Sequence, residues 1–222
     1  MTLTNMVTDN KPGRRGYHAP MREAAATRNR ESIVRAAKDL FEQRGWAATT
    51  VRSIAAVAGV SPKTVEADFA TKAALLEAAV AYAIRGDLDP RPVAQREAIA
   101  EVEQAADAAA MLTLHAAHLR RVHERSARIA FAVEQAAATD PIAADRWREM
   151  NRNRTAAIRR ATETLLEKPG CKPGLIPQDV QASFWVALDW ATYRTLTEQA
   201  RLTPDQYEAW LRRYYEATFL ES

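Results

Sequence analysis

The sequence contains one cysteine and seven glycines among its 222 residues, and no apolar run approaches the roughly 20 residues that a membrane helix needs. Cys171 cannot form a disulfide within one chain, which is typical of proteins in a reducing compartment. The N-terminus also lacks the apolar stretch of a secretory signal. We therefore expect a cytoplasmic protein without a membrane span.

Groups of residues that are typical of enzymes are also missing. No nucleophile, general base and oxyanion-binding group occur together at a recognisable spacing. His115 and His118 are close enough in sequence to share a metal ion, but no cysteine or carboxylate cluster completes such a site. We expect neither catalysis nor a metal or cofactor site.

Alanine and leucine, by contrast, are abundant, and few β-branched runs occur, so the composition favours an all-α fold. Apolar residues at helical spacing predict a first helix from Arg28 to Arg44. Thr50, Ser61 and Thr71 are good N-caps for three further helices, and Gly59 ends the second. Later helices are expected near 92–106, 107–139 with one break, 141–167, 177–200 and 204–220.

Basic residues are concentrated at the N-terminus. Residues 1–30 contain six basic side chains and two acidic ones, while the whole chain has a net charge of only +3. Proline and glycine interrupt this segment, so residues 1–27 are expected to form a flexible arm that either follows DNA phosphates or remains a solvated tail. We assign 28–75 to a three-helix head and 76–222 to a larger helical domain.

The second and third predicted helices are joined by a tight glycine turn, which is the layout of a helix-turn-helix. The second helix of such a motif must project so that its N-terminal residues can enter a major groove. Ser61, Lys63 and Thr64 are short or basic side chains at that position, and helix N–H groups there favour phosphate. A helical hairpin that only packs is the alternative.

Several residues of this region occur in a distinctive order and spacing: Ile33, Ala36-Ala37, Leu40-Phe41, Gly45-Trp46, Thr49-Thr50-Val51, Ile54-Ala55, Ala58-Gly59-Val60-Ser61, Thr64-Val65, Phe69, Thr71-Lys72 and Leu75-Leu76. With these residues, 28–80 resembles the N-terminal DNA-binding domain of the TetR family of transcriptional regulators. The resemblance implies a dimeric repressor that binds a palindromic operator and responds to a small molecule.

The resemblance also implies contacts for individual residues. Thr50 and Arg52 would contact the DNA backbone, Lys63 and Thr64 would face bases or phosphates, and Lys72 would hold a phosphate.

Glu66 and Asp68 depart from the family pattern, which often has Tyr and His at these positions, and carboxylates near phosphate are unfavourable. The basic arm could carry more of the affinity, Glu66 could accept from a cytosine amine, or both acids could point away from DNA.

Aromatic residues are concentrated in the last two predicted helices. Those in 183–196 cover nearly the full circumference of a helix, which predicts burial on all sides. We expect these helices to form a four-helix bundle with a second subunit, as the resemblance also implies, or else to fill one monomeric core. The predicted dimer residues are Trp190, Tyr193, Tyr207, Trp210, Leu211 and Tyr214.

The middle helices offer residues for an apolar cavity with a few polar groups, the usual composition of a ligand site. The predicted lining consists of Met111, His115, His118, Phe131, Trp147, Trp185 and Asp189. A bound effector would change the spacing of the two DNA-binding heads and weaken operator binding. The rival interpretation is a helical interaction protein that keeps the fold without sequence-specific DNA binding.

Overall fold

The computed structural model describes residues 19–221, and within this range the chain is almost entirely helical. The ten α-helices of the described part are α1 (Ala19–Ala48), α2 (Val51–Ala58), α3 (Pro62–Asp68), α4 (Lys72–Arg85), α5 (Glu97–Gln104), α6 (Ala108–Ala137), α7 (Pro141–Leu166), α8 (Pro177–Ala187), α9 (Trp190–Arg194) and α10 (Pro204–Phe219). A 3₁₀ turn at Val93–Gln95 precedes α5, and a π-helical turn at Thr195–Gln199 extends α9. The predicted all-α architecture is confirmed.

The four N-terminal helices pack around an apolar centre. Ile33 and Phe41 of α1, Ile54 of α2, Val65 of α3 and Leu75 of α4 are all buried. The predicted caps are present, because the Thr50, Ser61 and Thr71 side chains each accept a hydrogen bond from a backbone N–H in the first turn that follows. Local sequence therefore determines where these helices begin.

Helix α1 begins at Ala19, well before the predicted start at Arg28. Residues 19–27, which we assigned to the arm, are therefore helical, and residues 1–18 of the predicted arm lie outside the described residues. Near its other end the helix is interrupted at Gly45, whose φ of 73° lies in the left-handed region. The interruption lets Trp46 stack on Phe41 with a ring-centroid distance of 5.8 Å.

Helix α6 is the central element of the larger domain and packs against α1, α4, α7 and α10. The break predicted within 107–139 is wrong, since the helix is continuous over its 30 residues. Neither glycine nor proline occurs between residues 108 and 137, so nothing in the segment opposes a continuous helix. The predicted boundary between residues 75 and 76 falls inside α4, which packs on both α1 and α6.

The single helix predicted at 177–200 is divided into α8, α9 and the π-helical turn. The division occurs at Asp189, whose carboxylate accepts from the backbone N–H of Thr192 and so caps α9. The aromatic residues of 183–196 thus belong to two helices that are separated at Asp189. Within one chain Trp185 and Val186 remain 37% and 46% exposed, so burial on all sides of this segment would require the predicted second subunit. Within residues 19–221, no helix combines the length and apolarity that crossing a bilayer requires.

Candidate nucleic-acid interface

Helices α2 and α3 meet through a turn that is closed by backbone hydrogen bonds. Gly59 adopts φ 71° and ends α2, and the Val60 N–H donates to the Ala55 carbonyl at 3.0 Å. Only the Val65 side chain of α3 is buried, and it packs in the apolar centre of the four N-terminal helices. Most of α3 is therefore exposed and is not covered by the described chain.

The N-terminus of α3 is held by two hydroxyl groups. Ser61 Oγ accepts from the Thr64 N–H at 3.1 Å and lies 2.8 Å from Thr64 Oγ1. Pro62 occupies the first helical position, where its missing N–H leaves no hydrogen bond unmade. Lys63 is exposed beside them. The structure thus brings together Ser61, Lys63 and Thr64 at one projecting helix end, as predicted.

Thr50 and Arg52 lie at the N-terminus of the other helix of the motif. Thr50 forms a capping box with Ser53, in which the Ser53 N–H donates to Thr50 Oγ1 at 3.1 Å and the Thr50 N–H donates to Ser53 Oγ at 3.0 Å. Both Thr50 and Arg52 are exposed. A rigid backbone therefore presents this pair to solvent.

Lys72 differs from the role that the resemblance implies. Its ammonium lies 4.1 Å from the centroid of the Trp46 ring and donates to the Trp46 carbonyl oxygen at 2.5 Å. Partial burial lowers the pKa of Lys72 below its ordinary value, opposed by the nearby Asp140 carboxylate. The side chain is turned toward the protein, because the indole ring and the carbonyl offer it a cation–π contact and an acceptor.

The two acidic residues of α3, Glu66 and Asp68, are both exposed. A basic side chain lies at the end of the same helix, since Arg30 Nη1 donates to the Asp68 carbonyl oxygen at 3.3 Å and its guanidinium lies 4.4 Å from the Phe69 ring centroid. Arg30 therefore places a positive charge beside the acidic end of α3.

The seven predicted ligand residues do not line one cavity. Met111 and His115 are packed inside the larger domain, where His115 Nδ1 is hydrogen-bonded to the Tyr215 hydroxyl at 2.9 Å. Burial lowers the pKa of His115 to about 3 and that of the half-buried His118 to about 4. Phe131 does not share this buried environment. Its side chain is 39% exposed, and the Arg194 guanidinium lies 3.6 Å from the centroid of its ring.

The remaining three, Trp147, Trp185 and Asp189, lie in one region with Arg154 and Trp190. Arg154 Nη1 donates to Asp189 Oδ1 at 2.9 Å, and its guanidinium lies 4.7 Å from the centroid of Trp185. Trp147 packs at 6.0 Å from Trp190, which also contacts the guanidinium. The predicted lining is thus divided among separate regions of the chain, and a ligand site in the region around Arg154 stays a prediction.

Four of the six predicted dimer residues are buried within their own chain. Trp190 donates to Ser126 Oγ at 3.0 Å, Tyr193 and Tyr207 pack edge to face at 4.8 Å, and Leu211 is fully buried. These four fill the monomeric core, which was the alternative interpretation. Trp210 and Tyr214 are half-buried and stack at 5.6 Å on the outer part of α10.

Sequence reasoning missed the buried pairing of α6 with α10. His123 Nδ1 is hydrogen-bonded to the Tyr207 hydroxyl at 3.0 Å, in the same way as His115 and Tyr215. Each histidine lies eight residues from the other, and so does each tyrosine. Equal spacing on two antiparallel helices is a signal that predicts both pairs. The described residues include no cluster of three His, Cys, Asp or Glu side chains that could hold a metal ion.

Comparison with known proteins assigns the N-terminal region to a family. Residues 33–79 match the model of bacterial regulatory proteins of the tetR family. A search of the curated proteins finds no match to the sequence.

Solved structures resemble the whole chain at low identity. A protein from Rhodococcus sp. described as a TetR-family transcriptional regulator has a TM-score of 0.62 at 19% identity, covering 86% of this chain and 97% of its own. NalD from Pseudomonas aeruginosa, described as the secondary repressor of the MexAB-OprM multidrug efflux pump, has a TM-score of 0.63 at 17% identity, covering 87% and 97%.

A transcriptional regulator from Saccharomonospora viridis, solved in complex with choline, has a TM-score of 0.63 at 18% identity, covering 90% of this chain and 100% of its own. At such identities the likeness shows the fold. Residues 33–79 therefore form a helix-turn-helix domain of the TetR family of bacterial regulatory proteins, on a chain with the fold of these structures.

Proposed function

We propose that this protein is a ligand-responsive transcriptional repressor that binds a palindromic operator as a homodimer. The observation that carries the proposal is the exposure of α3, whose one buried side chain is Val65, within a helix-turn-helix domain of a regulatory family. A helix that only packed would bury a wider face. The exposed N-terminus of α3 instead fits a major groove, which is about 12 Å wide.

The proposed DNA contacts are Thr50, Arg52, Ser61, Lys63 and Thr64. Arg52 and Lys63 supply positive charge for the phosphates. The hydroxyl groups of Ser61 and Thr64 and the backbone N–H groups in the first turns of α2 and α3 supply hydrogen-bond donors. We propose that Lys72 stabilises the contact between α4 and Trp46 and does not bind a phosphate, because its ammonium donates to the Trp46 carbonyl oxygen.

Dimerisation is proposed to use the outer faces of α8 and α10. Trp185 and Val186 are the exposed apolar residues of α8, and Trp210 with Tyr214 forms a partly exposed aromatic pair on α10. Two such helices from each subunit would form a four-helix bundle and bury these side chains. A twofold dimer would place its recognition helices roughly 34–36 Å apart, one turn of DNA.

Repression and ligand response are supported by the solved structures that share the fold. NalD is described as a repressor, and SmeT and the Saccharomonospora protein were solved with triclosan and with choline. For the effector we favour the region around Trp147, Trp185 and Asp189 over His115, because these aromatic and acidic groups lie near the surface while the histidine is fully packed.

The test is selection of operator fragments from random DNA, followed by binding measurements over a range of salt concentrations. We expect a palindromic sequence, a logarithm of affinity that falls linearly with the logarithm of salt concentration, and a shallower slope, by about one phosphate contact, for Lys63→Ala. Arg159→Ala is the matched control, because Arg159 is an exposed basic residue on α7, outside the proposed DNA and dimer surfaces. A helical interaction protein without DNA recognition would yield no enriched sequence and no change with Lys63→Ala.

A further inference from the structure

One side-chain hydrogen bond connects the helix-turn-helix domain directly to α7. Trp46 Nε1, at the end of α1, donates to Asp140 Oδ2 at 2.7 Å across 94 positions of sequence. Asp140 is the N-cap of α7, and its other oxygen, Oδ1, accepts from the Ile142 and Ala143 N–H groups at 2.9 and 3.0 Å. One carboxylate oxygen of Asp140 therefore caps α7, and the other accepts the hydrogen bond from the Trp46 indole.

Trp46 is also the point where the two ends of the helix-turn-helix come together. It precedes α2, while its indole ring and carbonyl oxygen hold the ammonium of Lys72, the first residue of α4. The Asp140 carboxylate attracts the same ammonium. The segments that enter and leave the α2–α3 unit are thus both connected to one carboxylate at the start of α7.

The far end of α4 has its own attachment. Arg125 of α6 donates to the carbonyl oxygens of Ala83 and Ile84 at 3.2 and 3.0 Å. These carbonyls belong to the last turn of α4, where cationic side chains are favoured. Helix α4 is therefore attached to α6 at its C-terminus and, through Lys72, Trp46 and Asp140, to α7 at its N-terminus, in addition to its packing on α1 and α6.

We propose that Asp140 is a positioning residue that sets the angle of the helix-turn-helix relative to α7, and thereby the half-site spacing that the dimer recognises. This inference rests on the proposed function. A charge-assisted hydrogen bond is short and directional, so it restricts the orientation of the indole ring as well as its distance. A rotation at Trp46 would be passed to α3 through α2, which follows Trp46 in the chain and packs against α3.

Two substitutions share the loss of this hydrogen bond, although Asp140→Asn also removes the charge that attracts Lys72. In Asp140→Asn, Oδ1 still caps α7, but the amide nitrogen that replaces Oδ2 cannot accept from the indole N–H. In Trp46→Phe, an aromatic ring remains to stack on Phe41 and to lie beneath Lys72. Because both variants lose the same contact, the double variant should be no worse than either one. Asp145→Asn is the control, since Asp145 is an exposed carboxylate one turn farther along α7 that pairs with Arg148.

The first measurement does not depend on DNA. Spin labels on Val57→Cys and Glu163→Cys, in a Cys171→Ser chain diluted with unlabelled chain, report the distance between the head and α7 within one subunit, and both labelled positions are exposed. We expect a shifted or broader distance distribution for Asp140→Asn and Trp46→Phe and the original distribution for Asp145→Asn.

The second measurement compares operators whose half-sites are moved apart by single base pairs. We expect the two variants to lose about five- to tenfold in affinity for the preferred spacing and to discriminate less between spacings. Unchanged distances in both variants overturn the inference, whether or not any DNA is bound. Altered distances with no DNA binding by the parent protein would instead refute the proposed function and leave the positioning role standing.

Discussion

The helix-turn-helix head and the domain behind it are both helical, yet they are held together by different kinds of contact. In the head the centre is apolar, and a hydroxyl side chain directly before each of α2, α3 and α4 caps that helix. In the larger domain the centre contains histidine and tyrosine pairs from helices that are separated by 84 and 100 positions. The head is thus specified locally, whereas the larger domain depends on distant partners.

This difference has an electrostatic consequence. Buried imidazole is tolerated in the larger domain only in its neutral form, because burial penalises the charged ring. The head buries no histidine among its described residues. Acid should therefore destabilise the larger domain before the helix-turn-helix head.

Among substitutions that test the difference between the two regions, Phe184→Ala is expected to cause the largest loss of stability. Phe184 is fully buried in the larger domain and packs between His115, Tyr215 and Phe219. Removing its ring leaves a cavity, which should lower the free energy of unfolding by about 3–5 kcal/mol. Urea unfolding measures the loss, and Leu166→Ala is the control, because Leu166 is 37% exposed on α7 outside the proposed interface and should lose less. Equal losses at positions 184 and 166 would show that Phe184 does not face inward as described.

The second prediction concerns how the stability of the larger domain depends on pH. Burial lowers the pKa of His123 to about 4, below its ordinary value near 6.5, so its contribution to stability is complete above pH 6.5 and is lost as the pH falls toward 4. Full loss amounts to roughly 3 kcal/mol, since one pKa unit corresponds to about 1.4 kcal/mol.

Urea unfolding between pH 7 and pH 4.5 tests this expectation. His123→Gln keeps a polar partner for Tyr207 but does not titrate, so it should be less stable at pH 7 and should lose less stability on acidification. Identical pH dependence in the two proteins would mean that His123 is not held neutral by its surroundings.

The same contrast explains which features could be predicted from sequence. Thr50, Gly59 and Ser61 act on backbone within a few residues, so propensity rules place them correctly. The all-α fold follows from composition and apolar spacing for similar reasons. The exposed positions of the helix-turn-helix follow from the fold that those residues specify.

The unsuccessful predictions share a different cause. Tyr207 and Leu211 were assigned to a dimer surface because periodicity shows which residues share a face but not what covers that face. Helix α6 of the same chain covers them. Apolar patterns likewise gave no sign that Arg154 would contact Trp185 and Trp190 in the predicted ligand region. The Trp46–Asp140 contact had no local signal.

The smallest expected effect, on the dimer, comes from Val186→Glu. Phe184 and Val186 lie on opposite sides of α8, one fully buried and one 46% exposed. A carboxylate at position 186 remains solvated in a monomer but loses water in the proposed four-helix bundle, which should weaken association by roughly 2 kcal/mol, or about 30-fold in the dimer dissociation constant.

Sedimentation equilibrium over a dilution series measures this constant, and operator binding should weaken in parallel because only a dimer presents two recognition helices at once. Leu166→Glu on α7 is the matched control, with a similarly exposed apolar side chain outside the proposed interface. Since neither change touches the head or the buried face of α8, unfolding stability at high protein dilution should be nearly equal in both. If Val186→Glu associates as tightly as Leu166→Glu, the subunits do not meet through this face of α8, and the spacing of the two heads must be set by another surface.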